Sequence, residues 1–257
     1  MLDVRGLTKK YRHRAVVDHV TFTVPPGEVT GYLGPNGSGK STTVKMLAGL
    51  LPATSGQILW DGVDIRNDLT GFKRRLGYVP EEAYVYPHLT GMEHLELIGR
   101  LRRLPEEQMQ RKAAELLRLL WLHEHRYTPI SSYSKGMKQR VLIAAALMHD
   151  PKLLIFDEPL SGLDVLSSRL FKDLLLELTA AGKAVLYISH VLEVVEQICS
   201  RVVVIARGKV LADASPAELT GLMELANLES VFAQLVQQED TKSLARELVE
   251  AIKVQNV

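Results

Sequence analysis

Residues 34–41 read Gly34-Pro35-Asn36-Gly37-Ser38-Gly39-Lys40-Ser41, and this segment determines the fold predicted for the chain. It fits the pattern G-x-x-x-x-G-K-[ST], in which glycines let backbone amides close around phosphates. Glu28 to Leu33 before it predicts a strand, and Lys40 to Leu50 after it predicts a helix. Strand, turn and helix in this order are the context that a phosphate loop requires. We therefore predict that Lys40 reaches the β and γ phosphates and that Ser41 offers its hydroxyl to Mg²⁺.

Two carboxylates end the apolar run of residues 152–158, KLLIFDE. This run and Ala184 to Ile188 predict strands, and a helix near Val165 to Ala181 between them indicates a β-α-β crossover with parallel strands. The carboxyl ends of parallel strands share one edge of a sheet. We therefore predict that Asp157 holds Mg²⁺ and that Glu158 accepts the proton of an attacking water.

Helical periodicity begins near Pro87, where the hydrophobic spacing changes from two residues toward 3.6. Thr90 and Glu93 form a capping-box pattern at the start of the first helix, and Pro105 is expected at the first position of the second. A third helix is predicted from Ser134 to His149. Two later segments, residues 201–205 and 209–213, predict a hairpin, and the tail to residue 257 favours helix.

Composition excludes several classes of protein. Apolar residues make up 46% and charged residues 24% of the 257 residues, which is typical of a globular protein and not of a disordered chain. A net charge of +1 argues against a dedicated nucleic-acid binder. One cysteine, Cys199, excludes an intramolecular disulfide framework. The longest apolar run, Val141 to Met148, is far shorter than the roughly 20 residues of a membrane span. The N-terminus lacks a signal-peptide pattern. We therefore expect a cytoplasmic protein.

With its motifs in this order, the chain resembles the nucleotide-binding subunits of ATP-binding cassette (ABC) transporters over residues 2 to 215. Residues 133–137, YSKGM, are similar to the signature motif of that family, and residues 161–164, SGLD, match its D-loop. His190 matches the switch histidine, although an isolated histidine would otherwise be taken as an ordinary surface or core residue. Tyr11 matches the aromatic residue that stacks on adenine. The resemblance implies that the chain binds and hydrolyses ATP with Mg²⁺.

The resemblance also implies a fold class, α/β, with a P-loop NTPase cassette. Residues 1–215 would form the nucleotide-binding domain, with a mixed β core, an antiparallel β subdomain and a helical subdomain inserted at about residues 86–149. Residues 216–257 would form a C-terminal helical extension. Its segment Asn227 to Phe232 resembles an element found beside export-type cassettes, with dimer contact or simple packing as its role.

Site residues follow from the same resemblance. Glu158 and His190 are expected to be catalytic, and Ser41, Glu81 and Asp157 to hold the metal. The signature residues would act on the ATP of a second copy, with Asp164 in the D-loop. The nucleotide-binding residues are Tyr11, Gly34, Pro35, Asn36, Gly37, Ser38, Gly39, Lys40, Ser41 and Thr42. The signature residues are Ser134, Lys135, Gly136 and Met137.

Three positions depart from the family pattern. Glu81 stands where the family has the Q-loop glutamine, Lys135 replaces a signature glycine, and Met137 replaces a signature glutamine. These variants resemble those of subunits that serve export-type permeases, which favours export over import. The carboxylate of Glu81 can still ligate Mg²⁺ but offers no amide donor.

Three functions follow from these patterns. The favoured one is the ATPase subunit of a transporter, which acts as a homodimer or heterodimer on membrane permease subunits of a separate chain. We expect it at the cytoplasmic face of the membrane, and we expect no nucleic-acid partner. Residues 84–89, YVYPHL, match the stretch that lines the family's groove for a permease helix. The alternatives are a soluble ABC-type ATPase acting on DNA or ribosomes, which long insertions or a second cassette would indicate, and a regulatory module without turnover.

Overall fold

The computed structural model describes residues 1–223, 225 and 227–236. The predicted helical tail beyond residue 236 lies outside these residues. The described strands are β1 (Leu2–Tyr11), β2 (Arg14–Val24), β3 (Val29–Leu33), β4 (Ser55–Trp60), β5 (Val63–Asp64), β6 (Leu76–Val79), β7 (Leu153–Asp157), β8 (Ala184–Ile188), β9 (Arg201–Ala206) and β10 (Lys209–Ala214). The described helices are α1 (Lys40–Leu47), α2 (Leu69–Arg75), α3 (Gly91–Leu101), α4 (Glu106–Leu119), α5 (Lys135–Leu147), α6 (Val165–Ala180), α7 (Leu192–Ile198), α8 (Pro216–Met223) and α9 (Leu228–Val236).

The larger sheet has six strands in the order β10-β9-β3-β8-β7-β6. All its pairings are parallel except that of β9 with β10, which form the predicted hairpin. The pairing of β7 with β8 confirms the parallel crossover expected from the sequence, and it places Asp157 opposite Ile188. A smaller antiparallel sheet has the order β2-β1-β4-β5. The expected mixed core and antiparallel sheet are thus both present.

Side chains of the larger sheet alternate between two hydrophobic cores, because successive residues of a strand point to opposite faces. In β7, Leu154 and Phe156 enter the core beneath the helices, while Leu153 and Ile155 enter the core beneath the smaller sheet and α1. Every residue of β3, β7 and β8 is buried, as is typical of parallel strands covered on both faces. The sheet is therefore the middle of three layers.

Helices α3, α4 and α5 lie between β6 and β7 in sequence, within the stretch where the periodicity predicts helix. The Thr90 capping box is confirmed, since the Thr90 hydroxyl accepts from the Glu93 N–H and the Glu93 carboxylate from the Thr90 N–H. Pro105 lies at the N-cap of α4, one residue before the predicted position. None of the helices in the described part of the chain is long and apolar enough to span a bilayer.

Helix α1 ends three residues before the predicted Leu50. Gly49 follows the C-cap with φ +65°, and its N–H donates to Met46 O while the N–H of Leu50 donates to Lys45 O. These two hydrogen bonds form a Schellman motif, which ends the helix. Glycine adopts the left-handed conformation that the motif requires without strain, because it lacks a Cβ. Strand β1 and helix α2 are elements that the sequence reasoning did not specify.

Gly99 on α3 provides a test of helix packing. A Cβ at this position would lie 2.4 Å from Cγ of Met109, which is fully buried on α4. Although alanine is a better helix former than glycine, Gly99→Ala should lower the free energy of unfolding by about 1–3 kcal/mol because the core is overpacked.

The matched control is Gly221→Ala on α8, where the added Cβ meets no atom within 4 Å. This change should leave stability unchanged or raise it by about 0.5–1 kcal/mol. Urea denaturation of both variants measures the difference, and equal effects at the two positions would contradict the predicted clash.

Candidate functional site

A cleft of about 450 Å³ lies at the carboxyl edge of the larger sheet. The four neighbouring parallel strands β3, β8, β7 and β6 end there, and the residues that follow them enter the cleft. It is lined by Val16, Asn36, Gly37, Gly39, Lys40, Ser41, Thr42, Glu81, Asp157, Glu158 and His190. The structure thus brings together most of the predicted phosphate loop, the predicted metal ligands and the predicted catalytic pair. Gly34, Pro35 and Ser38 do not line this cleft but line neighbouring ones.

Close backbone contacts fix the phosphate loop. A Cβ on Gly34 would lie 2.3 Å from the carbonyl oxygen of Ile205 on β9. Gly39 adopts φ +106°, and a Cβ there would lie 2.7 Å from the carbonyl oxygen of Val16 on β2. Both positions require glycine, because a side chain at either one would overlap backbone atoms of a neighbouring strand. The two glycines of the motif are therefore required by the fold as well as by the ligand.

The N-terminus of α1 is suited to an anion. The first N–H groups of a helix have no intrahelical partners, and here no capping side chain or acidic residue of the first turn supplies one. The Lys40 ammonium lies beside them and donates to the carbonyl oxygens of Gly34 at 2.5 Å and Pro35 at 3.1 Å. Free N–H groups, a helix dipole and a cation together favour phosphate.

Asp157 is 6% exposed and shares the cleft with two other carboxylates. Burial raises the pKa of Asp157 to about 6, and the charges of Glu81 and Glu158 contribute to the rise. Burial lowers the pKa of the Lys40 ammonium, and the same carboxylates oppose that change. The cleft therefore holds more negative charge than its lysine neutralises.

Glu158 follows β7 in the left-handed region, with φ +49°. One carboxylate oxygen lies 2.8 Å from His190 Nδ1, and the other accepts a hydrogen bond from the Ser189 hydroxyl at 3.3 Å. A non-glycine residue at positive φ is uncommon, and strained backbone of this kind clusters at active sites. The two contacts hold the Glu158 carboxylate at the border of the cleft that the phosphate loop also lines.

Tyr11 does not line this cleft. It ends β1, is 50% exposed, and has the ammonium of Lys9 5.4 Å from its ring centroid. Its strand partner Arg14 lines an adjoining cleft of about 500 Å³ that shares Val16 and part of the phosphate loop. Tyr11 thus lies near the site, and its predicted stacking on adenine stays a prediction.

The signature residues also lie outside the cleft of their own chain. Ser134 is the N-cap of α5, where its hydroxyl accepts from the Met137 N–H at 3.2 Å. Asp164 is the N-cap of α6 and accepts from the N–H and hydroxyl of Ser167, both at 2.8 Å. The structure gives both residues a capping role that the sequence reasoning did not assign.

Three supporting residues were missed by the sequence reasoning. Val16 lines the cleft, the Gly208 N–H donates to Ser38 O at 2.9 Å, and Ser189 holds Glu158. Only Ser189 had a signal, its position beside His190 after β8. The other contacts join segments far apart in the chain, so local patterns do not reveal them.

The sequence of the chain matches a known protein family. The family model described as ABC transporter matches residues 17–161, more than half of the chain. The chain belongs to this family. It is an ATP-binding subunit of an ABC transporter, with ATPase activity.

Known relatives agree with this assignment. The chain is 38% identical to the linearmycin resistance ATP-binding protein LnrL of Bacillus subtilis, over 85% of this chain and 70% of that protein. It is 35% identical to the Nod factor export ATP-binding protein I of Ralstonia nicotianae, over 85% and 68%. The structure is similar to a dimeric post-hydrolysis state of the ATP-binding cassette MJ0796 bound to ADP and Pi. The TM-score is 0.78 and the sequence identity 26%, over 84% of this chain and 98% of that chain. These similarities favour the transporter hypothesis over the alternatives.

The raised pKa of Asp157 predicts a pH-dependent cost to the stability of this ABC subunit. Because the pKa of this carboxyl is higher in the folded chain than in the unfolded chain, stability is lost as the pH rises through about 6. Without nucleotide or Mg²⁺, Asp157→Asn should raise the free energy of unfolding by about 1–3 kcal/mol at pH 7.5. The gain should shrink toward pH 4.5.

Asp150→Asn is the control, because folding lowers the pKa of Asp150, whereas it raises the pKa of Asp157. Asp150 forms an ion pair with Lys183, which lowers the pKa of that carboxyl, and asparagine tolerates its φ of +53°. This change should leave stability unchanged or lower it at pH 7.5. Urea denaturation at both pH values measures the effects, and a loss of stability in Asp157→Asn at pH 7.5 would contradict the prediction.

Proposed function

We propose that the cleft binds Mg²⁺-ATP and hydrolyses it, with the roles assigned to the site residues from the sequence. One observation carries the proposal: the phosphate loop lies across a single cleft from Asp157 and Glu158, at the ends of nearby parallel strands. Residues 34–42 would bind the phosphates through backbone N–H groups and Lys40. Tyr11, at the end of β1, would contact the adenine.

The donor set fits Mg²⁺. Buried Asp157 is flanked by like charges, and a divalent cation would relieve that repulsion. No group of three or more His, Cys, Asp or Glu side chains forms a metal site among the described residues. Mg²⁺ suits such a site, because it needs only one or two protein carboxylates besides substrate phosphates and water. Ser41, Asp157 and Glu81 would hold the ion, which neutralises charge on the phosphates when bound.

Glu158 would act as the general base. Its carboxylate is positioned by Ser189 and His190, with one oxygen in reach of each, and it borders the cleft near Lys40. It would orient the attacking water and accept its proton. His190 is 78% exposed at the side chain, so it can contact the γ-phosphate while its Nδ1 stays near Glu158.

Two copies of the chain would meet head to tail. The signature residues are exposed or half-buried at the start of α5 and lie outside their own cleft, so they are available to another one. Ser134 and Gly136 would then contact the ATP bound by the partner copy. The dimeric state of the related cassette MJ0796 supports this arrangement. ATP binding would favour the closed dimer and hydrolysis the open one, because the ligand's affinity differs between them.

A groove of about 640 Å³ would receive the membrane permease, a separate chain. It lies between α2, α3, α5 and the segment after β6, and it exposes Tyr84 and Tyr86. Exposed aromatic residues in a concave surface are typical of protein interfaces. The chain would thus work at the cytoplasmic face of the membrane. The relatives that provide linearmycin resistance and Nod factor export support export as the direction.

Glu158→Gln tests the site and the dimer together. The variant keeps the side-chain shape but loses the base, so ATP hydrolysis should fall by a factor of about 10²–10⁴ while ATP binding is retained. Light scattering after gel filtration should then show an ATP-dependent dimer. Lys40→Ala should form no such dimer, because it lacks the phosphate-binding cation.

Glu196→Gln, at an exposed position on α7, is the matched control and should hydrolyse ATP at the wild-type rate. Wild-type turnover in Glu158→Gln would refute the role of Glu158. An ATP-dependent dimer of Lys40→Ala would refute the role of the phosphate loop.

Replacing both groove tyrosines tests permease docking. Tyr84→Ala with Tyr86→Ala removes side chains that are 75% and 59% exposed, so the cleft and the ATPase rate should be unaffected. In host membranes the fraction of the chain that sediments with the membrane should fall at least about tenfold, because an interface hot spot contributes about 2 kcal/mol or more to binding. Tyr127→Ala, at a residue 66% exposed outside the groove, is the control. Equal sedimentation of both variants would contradict docking at this groove.

A further inference from the structure

The signature and the D-loop of one chain contact each other directly. A Cβ on Gly136 would lie 2.5 Å from the carbonyl oxygen of Gly162, so the two backbones meet without an intervening side chain. Gly162 has φ +81°, a conformation that glycine adopts without strain. The start of α5 and the loop before α6 therefore form one packed unit.

Lys135 covers this contact. Its Cγ and Cδ lie 2.8 and 2.9 Å from the position that a Cβ of Gly162 would occupy, so the aliphatic stem packs on the D-loop glycine. Its ammonium donates to the Ser161 hydroxyl at 2.7 Å. Long lysine side chains commonly bury the stem and keep the charged end in water. Lys135 stands where the family has a glycine, so a glycine there would make neither contact.

The D-loop in turn holds the backbone of Glu158. The Ser161 N–H donates to the carbonyl oxygen of Glu158 at 3.1 Å, and the Glu158 N–H donates to Ile188 O at 2.9 Å. These two bonds flank a residue with the strained φ of +49°. A strained conformation persists only when its surroundings fix it. Displacement of Ser161 would therefore loosen the backbone that carries the Glu158 carboxylate.

We propose that Lys135 is a positioning residue, which through its hydrogen bond to Ser161 and its stem on Gly162 keeps Glu158 of its own chain in the orientation for hydrolysis. The inference rests on the proposed function, because it assigns Glu158 the role of base. It also joins the signature turn, which would contact the partner's ATP, to the chain's own catalytic residue. The competing role is direct contact of the Lys135 ammonium with the partner's phosphates.

Four variants of the full chain separate these roles. Lys135→Met keeps the stem and loses the donor, Ser161→Ala loses the acceptor, and the double variant completes a thermodynamic cycle. Lys135→Arg keeps a donor on an apolar stem. Lys138→Met is the matched control, since the Lys138 side chain has no hydrogen bond or ion pair within the described residues.

Steady-state ATP hydrolysis is the first measurement. Lys135→Met and Ser161→Ala should each lower kcat about three- to tenfold, which corresponds to the loss of one ordinary, solvent-accessible hydrogen bond, with KM changed less than about twofold. The double variant should be no worse than either single variant, Lys135→Arg should recover most of kcat, and Lys138→Met should match wild type. A raised KM in Lys135→Met with no effect of Ser161→Ala, or additive effects in the double variant, would overturn the proposal.

Hydrogen exchange of the peptide covering residues 158–164 is the second measurement, and it requires no turnover. The Ser161 N–H, bonded to Glu158, should exchange several-fold faster in Lys135→Met than in wild type or Lys138→Met. Unchanged exchange, or faster exchange with unchanged kcat, would overturn the proposal. A wild-type chain that hydrolyses no ATP would instead refute the proposed function, and the exchange rates would still decide whether Lys135 holds the D-loop.

Discussion

The parallel pairing of β3, β8, β7 and β6 is the interaction on which the site depends. Each strand delivers one element of the cleft at its carboxyl end: the phosphate loop after β3, Ser189 and His190 after β8, Asp157 and Glu158 at β7, and Glu81 after β6. Ladder hydrogen bonds fix the spacing between neighbouring strands at about 4.8 Å. Buried side chains on both faces hold the ladder in register. Groups far apart in the chain thus meet without a dedicated local structure.

Charge in the cleft follows from the same geometry. Three carboxylates and one lysine share a partly buried space, and burial disfavours the charged form of both Asp157 and Lys40. Arrangements of this kind reduce the stability of a folded chain and are kept where a ligand requires them. The phosphates and the metal ion of the proposed substrate would provide the missing positive and negative partners. If Glu158 has the proposed role, its strained backbone is a further reduction of stability that serves activity.

Local signals in the sequence predicted the parts of the structure that local rules govern. Residues 34–41, the Thr90 capping box and the crossover between β7 and β8 follow from spacing, cap chemistry and hydrophobic pattern. Strand β1 was not specified although its burial pattern alternates in part, because its bulges shift the register with β2. The contact of Gly34 with Ile205 and the support of Ser38 by Gly208 arise only when β9 and β10 pack beside β3. Pairings between distant segments are decided by the whole sheet and not by neighbouring residues.

The Lys40 ammonium has further significance, because it is already bound to the carbonyl oxygens of Gly34 and Pro35. These bonds brace the loop from within, and the glycines at its ends are held against β2 and β9. The conformational entropy of the loop is thus lost during folding, and binding of a ligand does not have to order the loop. In the proposed function, a triphosphate would replace the carbonyl oxygens of Gly34 and Pro35 as partners of the Lys40 ammonium. Binding at this loop would then need little rearrangement of the loop itself, and the larger motions of the proposed cycle would occur at the contacts between chains.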